Sequence, residues 1–160
     1  MPLRAAAHSA AATPTAEALA ILVHPANPLN ALTLGEVRRI FMLETQTWPN
    51  GRKITVVLRE KGQAERTEAI RLICGISDVE FERHVLFQTF RGSVTSGPRS
   101  IQSANAMIRF IFNVPGAIGY VPADLADGST KTLQIDGWLP GDPKYPLRRV
   151  PRAATEGGPR

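Results

Sequence analysis

Hydrophobic and polar positions along the chain switch between strand-like runs and helical patterns several times. The first strong signal is the continuous apolar run LAILVH at 19–24, which is typical of a strand buried on both faces. Similar runs at 53–58, 117–121 and 131–135 predict further strands. Because helical patterns separate these runs, the sequence predicts an α/β fold with a mixed, mainly parallel sheet flanked by helices.

Four segments with a helical period are predicted: 34–43, 63–74, 77–90 and 101–113. Two of them begin with a capping box, formed by Thr33 with Glu36 and by Ser77 with Glu80. Gly75 is placed to end the second helix in the left-handed conformation that glycine adopts without strain. The polar stretch 91–100 is predicted to be a loop.

The total of 160 residues, 43% of them hydrophobic, fits one folded domain, which we place at 17–147. The formal net charge of +5 is concentrated at one end, because 148–160 holds four arginines and one glutamate. Such a segment, rich in proline and glycine, predicts a basic flexible tail rather than a nucleic-acid-binding surface. No apolar run reaches the roughly 18 residues that a membrane span needs.

The first residues, 1–16, are rich in alanine and resemble the end of a signal peptide. They lack the strongly apolar core that a complete signal contains. Two interpretations stay open: a flexible leader, or the remnant of a signal whose start lies upstream of Met1.

Motifs for catalysis and for metal binding are missing from the sequence. His8, His24 and His84 lie far apart, which predicts no metal site. A single cysteine, Cys74, excludes an internal disulfide. The chain has no G-x-S-x-G, no G-x-G-x-x-G and no Walker A loop, so we predict no cofactor and no enzymatic activity.

Three stretches resemble the phosphate-type (PstS-like) ABC-transporter substrate-binding family. They are LTLGEVRRIFMLETQTW at 32–48, VPGAIGYV at 114–121 and LQIDGWLPGDPKYPLR at 133–148. With the first strand, the resemblance covers positions 19–148. It implies a domain like one lobe of a type II periplasmic binding protein, whereas family members have two lobes that enclose the ligand. It also implies a periplasmic or secreted location and a membrane transporter or receptor as partner.

The resemblance implies an oxyanion site after the strand at 53–58. In the family, an arginine at a strand end precedes a helix start that binds the anion; Arg59 matches this arginine and Gly62 a loop glycine. Gln63 takes the place of a family hydroxyl, and Arg66 adds a second cation. Helix N-termini and guanidinium groups both attract anions. Because Glu65 takes the other hydroxyl position, weak binding is expected.

Two alternatives limit this site hypothesis. Arg59 and Arg66 are equally expected to pair with neighbouring carboxylates at the surface, those of Glu60, Glu65 or Glu68. A second set of possible ligand-binding residues is predicted to face the same mouth as Arg59: Ser93, Thr95, Ser96, Arg99 and Ser100. The competing interpretation of that set is an ordinary polar loop whose last serine caps the next helix.

These observations predict a non-catalytic solute-binding-like domain that holds a small oxyanion such as phosphate weakly, or acts with a partner in phosphate-type uptake or sensing. The first alternative is a protein-interaction domain of the same fold without a ligand. The second is a helix-turn-helix DNA-binding protein, from the helix-turn spacing at 67–77. Asp78, Glu80 and Glu82 at the start of the second helix would repel DNA, so no nucleic acid is expected.

Overall fold

The computed structural model describes residues 18–94 and 97–149. Within these ranges the chain forms seven strands: β1 (Leu19–Val23), β2 (Ala31–Leu32), β3 (Thr55–Arg59), β4 (Arg99–Ile101), β5 (Ala117–Pro122), β6 (Lys131–Thr132) and β7 (Gln134–Ile135). Five of these form one sheet in the order β4-β3-β5-β1-β6, and β2 pairs with β7 in a small parallel sheet.

Strand directions confirm the predicted mixed, mainly parallel sheet. β3 runs parallel to β4 and β5, whereas β1 lies antiparallel to β5 and β6. Within the described sheet, β1 is therefore the strand that runs against the other four. It has neighbours on both sides and all five of its side chains are buried, which explains its continuous apolar sequence.

In the described part of the chain, four α-helices flank the sheet: α1 (Leu34–Phe41), α2 (Ala64–Cys74), α3 (Asp78–Phe90) and α4 (Ala104–Asn113). A short 3₁₀ helix, Ala123–Leu125, follows β5. The predicted capping boxes at Thr33 and Ser77 are confirmed, since each hydroxyl accepts from the third helical N–H. Gly75 ends α2 with a φ of 76°, also as predicted.

The helices cover both faces of the sheet, as two neighbours on β5 show. Tyr120 contacts Phe41 of α1, with ring centroids 6.3 Å apart. Gly119 faces α4 so closely that an added Cβ would lie 2.6 Å from the sulfur of Met107 and 2.9 Å from Ile111. On the first face α1 packs against α2, where Arg38 Nε donates to a carbonyl at 3.0 Å, and α3 packs outside α2.

Several boundaries differ from the prediction by one to three residues, and two of the differences change which elements form. The fourth helix begins at Ala104 instead of 101, because Arg99–Ile101 forms β4 beside β3. Its cap is Ser103, whose Oγ accepts from the N–H of Ala106 at 3.1 Å, so the predicted cap at Ser100 is wrong. The strand predicted at 131–135 is two strands, because β6 pairs with β1 in the main sheet whereas β7 pairs with β2 in the small one.

Both ends of the described body lie at one edge of the sheet. Ala18 forms an antiparallel bridge with Arg148, and Leu19 N donates to Leu147 O at 2.8 Å. The predicted leader 1–16 and the part 150–160 of the predicted basic tail lie outside the described residues.

Candidate functional site

The carboxyl ends of β3 and β4 meet at one edge of the sheet, where Arg59 lies opposite Ile101. From this edge β3 continues through a short loop into α2, and β4 continues through Gln102 and Ser103 into α4. Because the two strands are parallel, both helices start at the same edge. This is the usual place for a ligand in such sheets.

The start of α2 differs from the starts of the other helices. Thr33, Ser77 and Ser103 cap α1, α3 and α4 with their hydroxyls, whereas Gln63 at the start of α2 makes no side-chain cap bond. Gly62 turns the chain into this position with a φ of 89°, which favours glycine. The first N–H groups of α2 therefore have no capping side chain, which leaves them suited to an anion.

Arg59 and Gln63 converge on the carbonyl oxygen of Gln102. Arg59 Nη2 donates to it at 3.3 Å, and Gln63 Nε2 donates to it at 3.1 Å. Two further polar atoms of these side chains, Arg59 Nε and Gln63 Oε1, are buried without a hydrogen-bond partner. An unmet buried polar group costs about 1–3 kcal/mol. The site therefore presents one unmet donor and one unmet acceptor beside the start of α2.

Tyr120 fixes the backbone of Arg59 through a hydrogen bond. Its hydroxyl oxygen accepts a hydrogen bond from the backbone N–H of Arg59 at 2.9 Å. Burial raises the pKa of Tyr120 to about 12, and the bond from Arg59 opposes this rise. The phenol is therefore neutral at physiological pH and fixes the end of β3.

Arg66 is buried and has acceptors on all three of its nitrogens. Nε donates to Asp78 at 3.0 Å, Nη2 pairs with Glu82, and Nη1 donates to the carbonyl of Arg59 at 3.1 Å. Its guanidinium also lies 5.9 Å from the ring centroid of Phe81. The carboxylates that balance its charge come from α3 and not from the neighbours in sequence that the pairing alternative named. Direct contact of Arg66 with a ligand stays a prediction.

The second predicted set of ligand-binding residues does not gather around Arg59. Ser93 O accepts from Gln46 Nε2 at 2.7 Å, and Gln46 O accepts from Ile54 N, just before β3. Ser93 therefore lies at the opposite edge of the sheet, and its predicted placement at the mouth is wrong. The reason is that β4 separates the loop from α4.

The other members of that set lie on β4 or outside the described residues. Arg99 pairs with Val57 at the far end of β4, and its guanidinium lies 5.5 Å from the ring centroid of Phe110. Ser100 lies one residue nearer the edge. Thr95 and Ser96 are not among the described residues. The structure instead brings Gln102 and Ser103 to the edge of the sheet where Arg59 lies. Of these two residues, only Ser103 carries a sequence signal, as a possible helix cap.

A cavity of about 140 Å³ opens at the opposite edge, beside Lys53 and Arg99. Within the described residues, no buried side-chain atom that lacks a hydrogen-bond partner lines this cavity, whereas two such atoms lie on Arg59 and Gln63. The Arg59 edge is therefore the better candidate for a ligand site.

Within 18–94 and 97–149, the structure gives little support for a metal site, a reactive thiol or a membrane-spanning helix. No three histidine, cysteine or acidic side chains come together there in a way that could hold a metal ion. Burial raises the pKa of Cys74 to about 12, so its thiol is a poor nucleophile. In the same ranges, every helix is too short or too polar to cross a lipid bilayer.

Comparison with known proteins shows which solved structures have a similar fold. No family model matches the sequence, and no curated protein matches it either. Solved structures do match. A phosphate ABC transporter substrate-binding protein with bound phosphate from Clostridium perfringens has a TM-score of 0.67 and 21% identity over 82% of this chain.

Two further structures agree with the first. An ABC-type phosphate transport receptor from Vibrio cholerae has a TM-score of 0.63 and 24% identity over 77% of this chain. PstS from Borrelia burgdorferi has a TM-score of 0.65 and 17% identity over 87%. The chain covers 52%, 48% and 60% of these three structures, so it spans about half their length. The resemblance to phosphate-type substrate-binding proteins is thus confirmed as a resemblance in fold.

Proposed function

We propose that this protein is a non-catalytic solute-binding domain that holds a small, phosphate-like oxyanion at the carboxyl edge of β3 and β4. The observation that carries the proposal is the pair of unmet polar atoms, Arg59 Nε and Gln63 Oε1, beside the uncapped start of α2. A cation, free N–H groups and a turn with a glycine are what an oxyanion requires.

In this proposal the anion replaces the carbonyl of Gln102 as the acceptor for Arg59 and Gln63. Arg59 then offers Nε and one Nη together, which matches the two oxygens of an oxyanion. Gln63 Oε1 accepts a hydrogen bond from a protonated oxygen of the ligand, so a protonated oxyanion satisfies both unmet atoms. Sulfate carries no such proton at neutral pH and is expected to bind less well.

Neighbouring residues set the strength of the proposed site. Gly62 shapes the loop, and Arg66 holds the backbone of Arg59 in place by donating to the Arg59 carbonyl oxygen. Glu65 lies in the first turn of α2, where a negative charge opposes an incoming anion. We therefore expect weak binding, in the range of hundreds of micromolar to millimolar, equivalent to roughly 4–5 kcal/mol.

The matched structures support the proposed ligand and partner. One contains bound phosphate, and the names of the first two refer to ABC-type phosphate transport. By analogy, we propose that this chain is exported and acts with a membrane transporter or receptor in phosphate-type uptake or sensing. A ligand-free interaction domain of the same fold is the alternative.

DNA binding is less well supported by the contacts of α2 and α3. The two helices do follow each other through a short turn, but Asp78 and Glu82 of the second helix pair with Arg66. Glu80 stays exposed in its first turn, where a recognition helix approaches the phosphates.

The test is calorimetric titration with phosphate and, separately, with sulfate. We expect saturable phosphate binding that Arg59→Ala removes and that the control Arg109→Ala, a change at an exposed arginine on α4, leaves intact. Absence of heat at 10 mM phosphate, an amount set well above the expected affinity, would reject the ligand and favour the interaction domain. Binding that survives Arg59→Ala would reject the site.

A further inference from the structure

An open groove of about 580 Å³ lies between β2 and the segment 45–51. It is at the amino-terminal end of β5, because Trp48 in that segment donates from Nε1 to the carbonyl of Gly116 at 3.0 Å, one residue before β5 begins. Arg59 lies at the opposite edge of the sheet. A volume of this size accommodates a small ligand or a few residues of a peptide. The groove is therefore a candidate site separate from the proposed oxyanion site.

The backbone of β2 is open on the side that faces the groove. On its other side, towards β7, Asn30 O accepts from Gln134 N at 2.9 Å. Leu32 O accepts from Asp136 N at 3.0 Å on that same side. Because successive residues of a strand direct their backbone groups to opposite sides, the N–H and C=O of Ala31 point away from β7.

Ala31 is exposed and lines the groove, and its N–H and C=O make no hydrogen bond within 18–94 and 97–149. A strand edge with an unpaired N–H and C=O is a template for a further extended chain. Proteins commonly block such an edge with a charged side chain or a proline, whereas an alanine leaves it accessible. The backbone of the groove therefore suits an extended segment that adds beside β2.

A guanidinium without a partner lies on the α1 wall of the groove. Arg39 is exposed there, and within the described residues its side chain makes no ion pair and no hydrogen bond. Its neighbour Arg38 is engaged, since Nε donates to Ile73 O at 3.0 Å. Glu36, the acid on this wall, accepts from Thr33 N at 2.8 Å as part of the capping box. The groove therefore offers one unpaired cation to a carboxylate.

Apolar side chains complete the lining of the groove. Leu29 and Leu32 are half-buried, and Trp48 is almost fully buried. Trp48 is held by two hydrogen bonds, from its N to Arg52 O at 2.8 Å and from Nε1 to Gly116 O. Because this wall is already ordered, binding an apolar side chain here costs little conformational entropy.

We propose that this groove binds the C-terminal end of an extended peptide segment from another protein. One residue of the segment exchanges two backbone hydrogen bonds with Ala31 and so adds a strand to the sheet of β2 and β7. The terminal carboxylate pairs with Arg39, and the apolar side chain of the last residue packs against Leu32 and Trp48. The two halves of the groove are then used by one ligand.

Two observations favour this occupant over others. A chain end carries its carboxylate next to the last side chain, so a single residue meets both the cation and the apolar lining, and the preceding peptide group meets Ala31. A free carboxylate without a peptide group leaves Ala31 unpaired. The described ends of this chain lie at the opposite edge of the sheet, where Ala18 bridges Arg148 and its O accepts from Ala123 N, so a segment of another molecule is the better fit.

The first experiment is an amide-resolved NMR titration of the full chain with the acetylated peptide Thr-Val-Thr-Val-Leu, which has a free C-terminal carboxylate. We expect saturable shifts at the N–H of Ala31 and at the indole N–H of Trp48. The dissociation constant should be about 0.1–1 mM, because two backbone bonds, one exposed ion pair and one side chain are few contacts. The same peptide with a C-terminal amide should bind about fivefold more weakly.

The second experiment assigns the carboxylate to Arg39. Arg39→Ala should weaken the acid peptide to the affinity of the amide peptide, and it should leave the amide peptide unchanged. The exposed Arg109 on α4 provides the matched control, since Arg109→Ala should leave both affinities unchanged. Folding of Arg39→Ala is checked in the same spectra, where shifts away from the groove should stay as in the wild type.

The third experiment tests strand addition with N-methylated peptides. Two adjacent residues of the acid peptide are methylated at nitrogen, one in each of two peptides. Because alternate N–H groups of a strand face opposite sides, one methyl group should weaken binding by about tenfold and the other should have little effect.

Absence of shifts at about 5 mM acid peptide, an amount above the expected constant, would overturn the proposal. Equal affinities of the acid and amide peptides would overturn the role of Arg39. Two N-methylated peptides that both bind like the parent, or N-acetyl-leucine binding as tightly as the whole peptide, would overturn strand addition at Ala31.

Discussion

Arg59 and Arg66 lie seven residues apart, on either side of the turn that leads into α2, yet their surroundings are opposite. Arg66 is buried, and its three nitrogens reach two carboxylates and the carbonyl of Arg59. Arg59 is half-buried; its Nη2 donates to the carbonyl of Gln102, and its Nε has no hydrogen-bond partner. The same functional group is thus fully satisfied at one position and incompletely satisfied at the other.

This difference separates a structural role from a binding role. A buried arginine between two carboxylates ties α2 to α3, and its charge is balanced within the protein. An arginine with an unmet donor carries a cost that a ligand can remove. Arg66 also donates to the carbonyl oxygen of Arg59, so the structural arginine supports the backbone of the binding arginine. Four experiments test whether the two roles are as distinct as the contacts indicate.

The largest effect is expected for Arg66→Ala. Removing the arginine leaves Asp78 without its cation and Glu82 with only the exposed Lys61 at 3.2 Å, and the two carboxylates are 22% and 36% exposed. Because water reaches them in part, we expect a loss of about 3 kcal/mol in the free energy of unfolding, near the lower end for a broken buried pair. Urea denaturation measures it. A loss no larger than that of Arg109→Ala would contradict the structural role.

The next effect concerns Tyr120, whose hydroxyl holds the backbone of Arg59. Its pKa is raised by burial from 10.0 to about 12 in the folded protein. The unfolded chain therefore loses this proton first, so the stabilisation is complete below pH 10 and is lost as the pH rises towards 12. The loss should reach about 2 kcal/mol.

Denaturation of the wild type and of Tyr120→Phe from pH 8 to 12 measures that contribution, with the pH range taken from the two pKa values. The variant lacks the titrating group, so its stability should fall less steeply above pH 10. Parallel curves for the two proteins would show that the phenol does not contribute in the way its burial indicates.

A smaller effect is expected for Arg59→Lys, which keeps the positive charge and removes the planar fork. If Arg59 binds an oxyanion through Nε and Nη together, affinity for phosphate should fall by about three- to tenfold. The free energy of unfolding should change by less than about 1 kcal/mol, because the half-buried side chain has little packing to lose. Calorimetric titration and urea denaturation together give both values. Unchanged affinity would mean that charge alone matters.

The smallest change in stability is expected for Gln63→Asp, and in this variant stability and phosphate binding should change in opposite directions. An aspartate at this position can cap α2 and should stabilise the protein by about 0.5–1 kcal/mol. It should also remove phosphate binding, because its carboxylate takes the N–H groups and repels the anion. A more stable variant that still binds phosphate would exclude the start of α2 from the site.

Local signals explain which parts of this fold were predictable. The capping boxes at Thr33 and Ser77 and the glycine at position 75 act within a few residues, so the sequence displays them directly. The apolar run of β1 follows from burial on both faces. The alternation of strands and helices along the chain was sufficient to predict the mixed sheet.

Contacts between distant elements explain what could not be predicted. β4 has only three residues, and its isoleucine continues the apolar pattern of α4, so the serine at position 100 looks like the cap that Ser103 provides. Pairing of Arg66 with Asp78 depends on how α2 and α3 cross, which periodicity does not encode. For the same reason the carbonyl of Gln102 carries no sequence signal, although Arg59 and Gln63 both donate to it.

The bridge between Ala18 and Arg148 brings the two ends of the folded body side by side. A body whose ends are adjacent can be rejoined and reopened elsewhere without disturbing its sheet. A circular permutant that links residue 149 to residue 18 through a short glycine-rich segment and opens at the exposed turn around Gly128 should therefore fold. The same property suits such a body to insertion into a loop of another protein as a self-contained module.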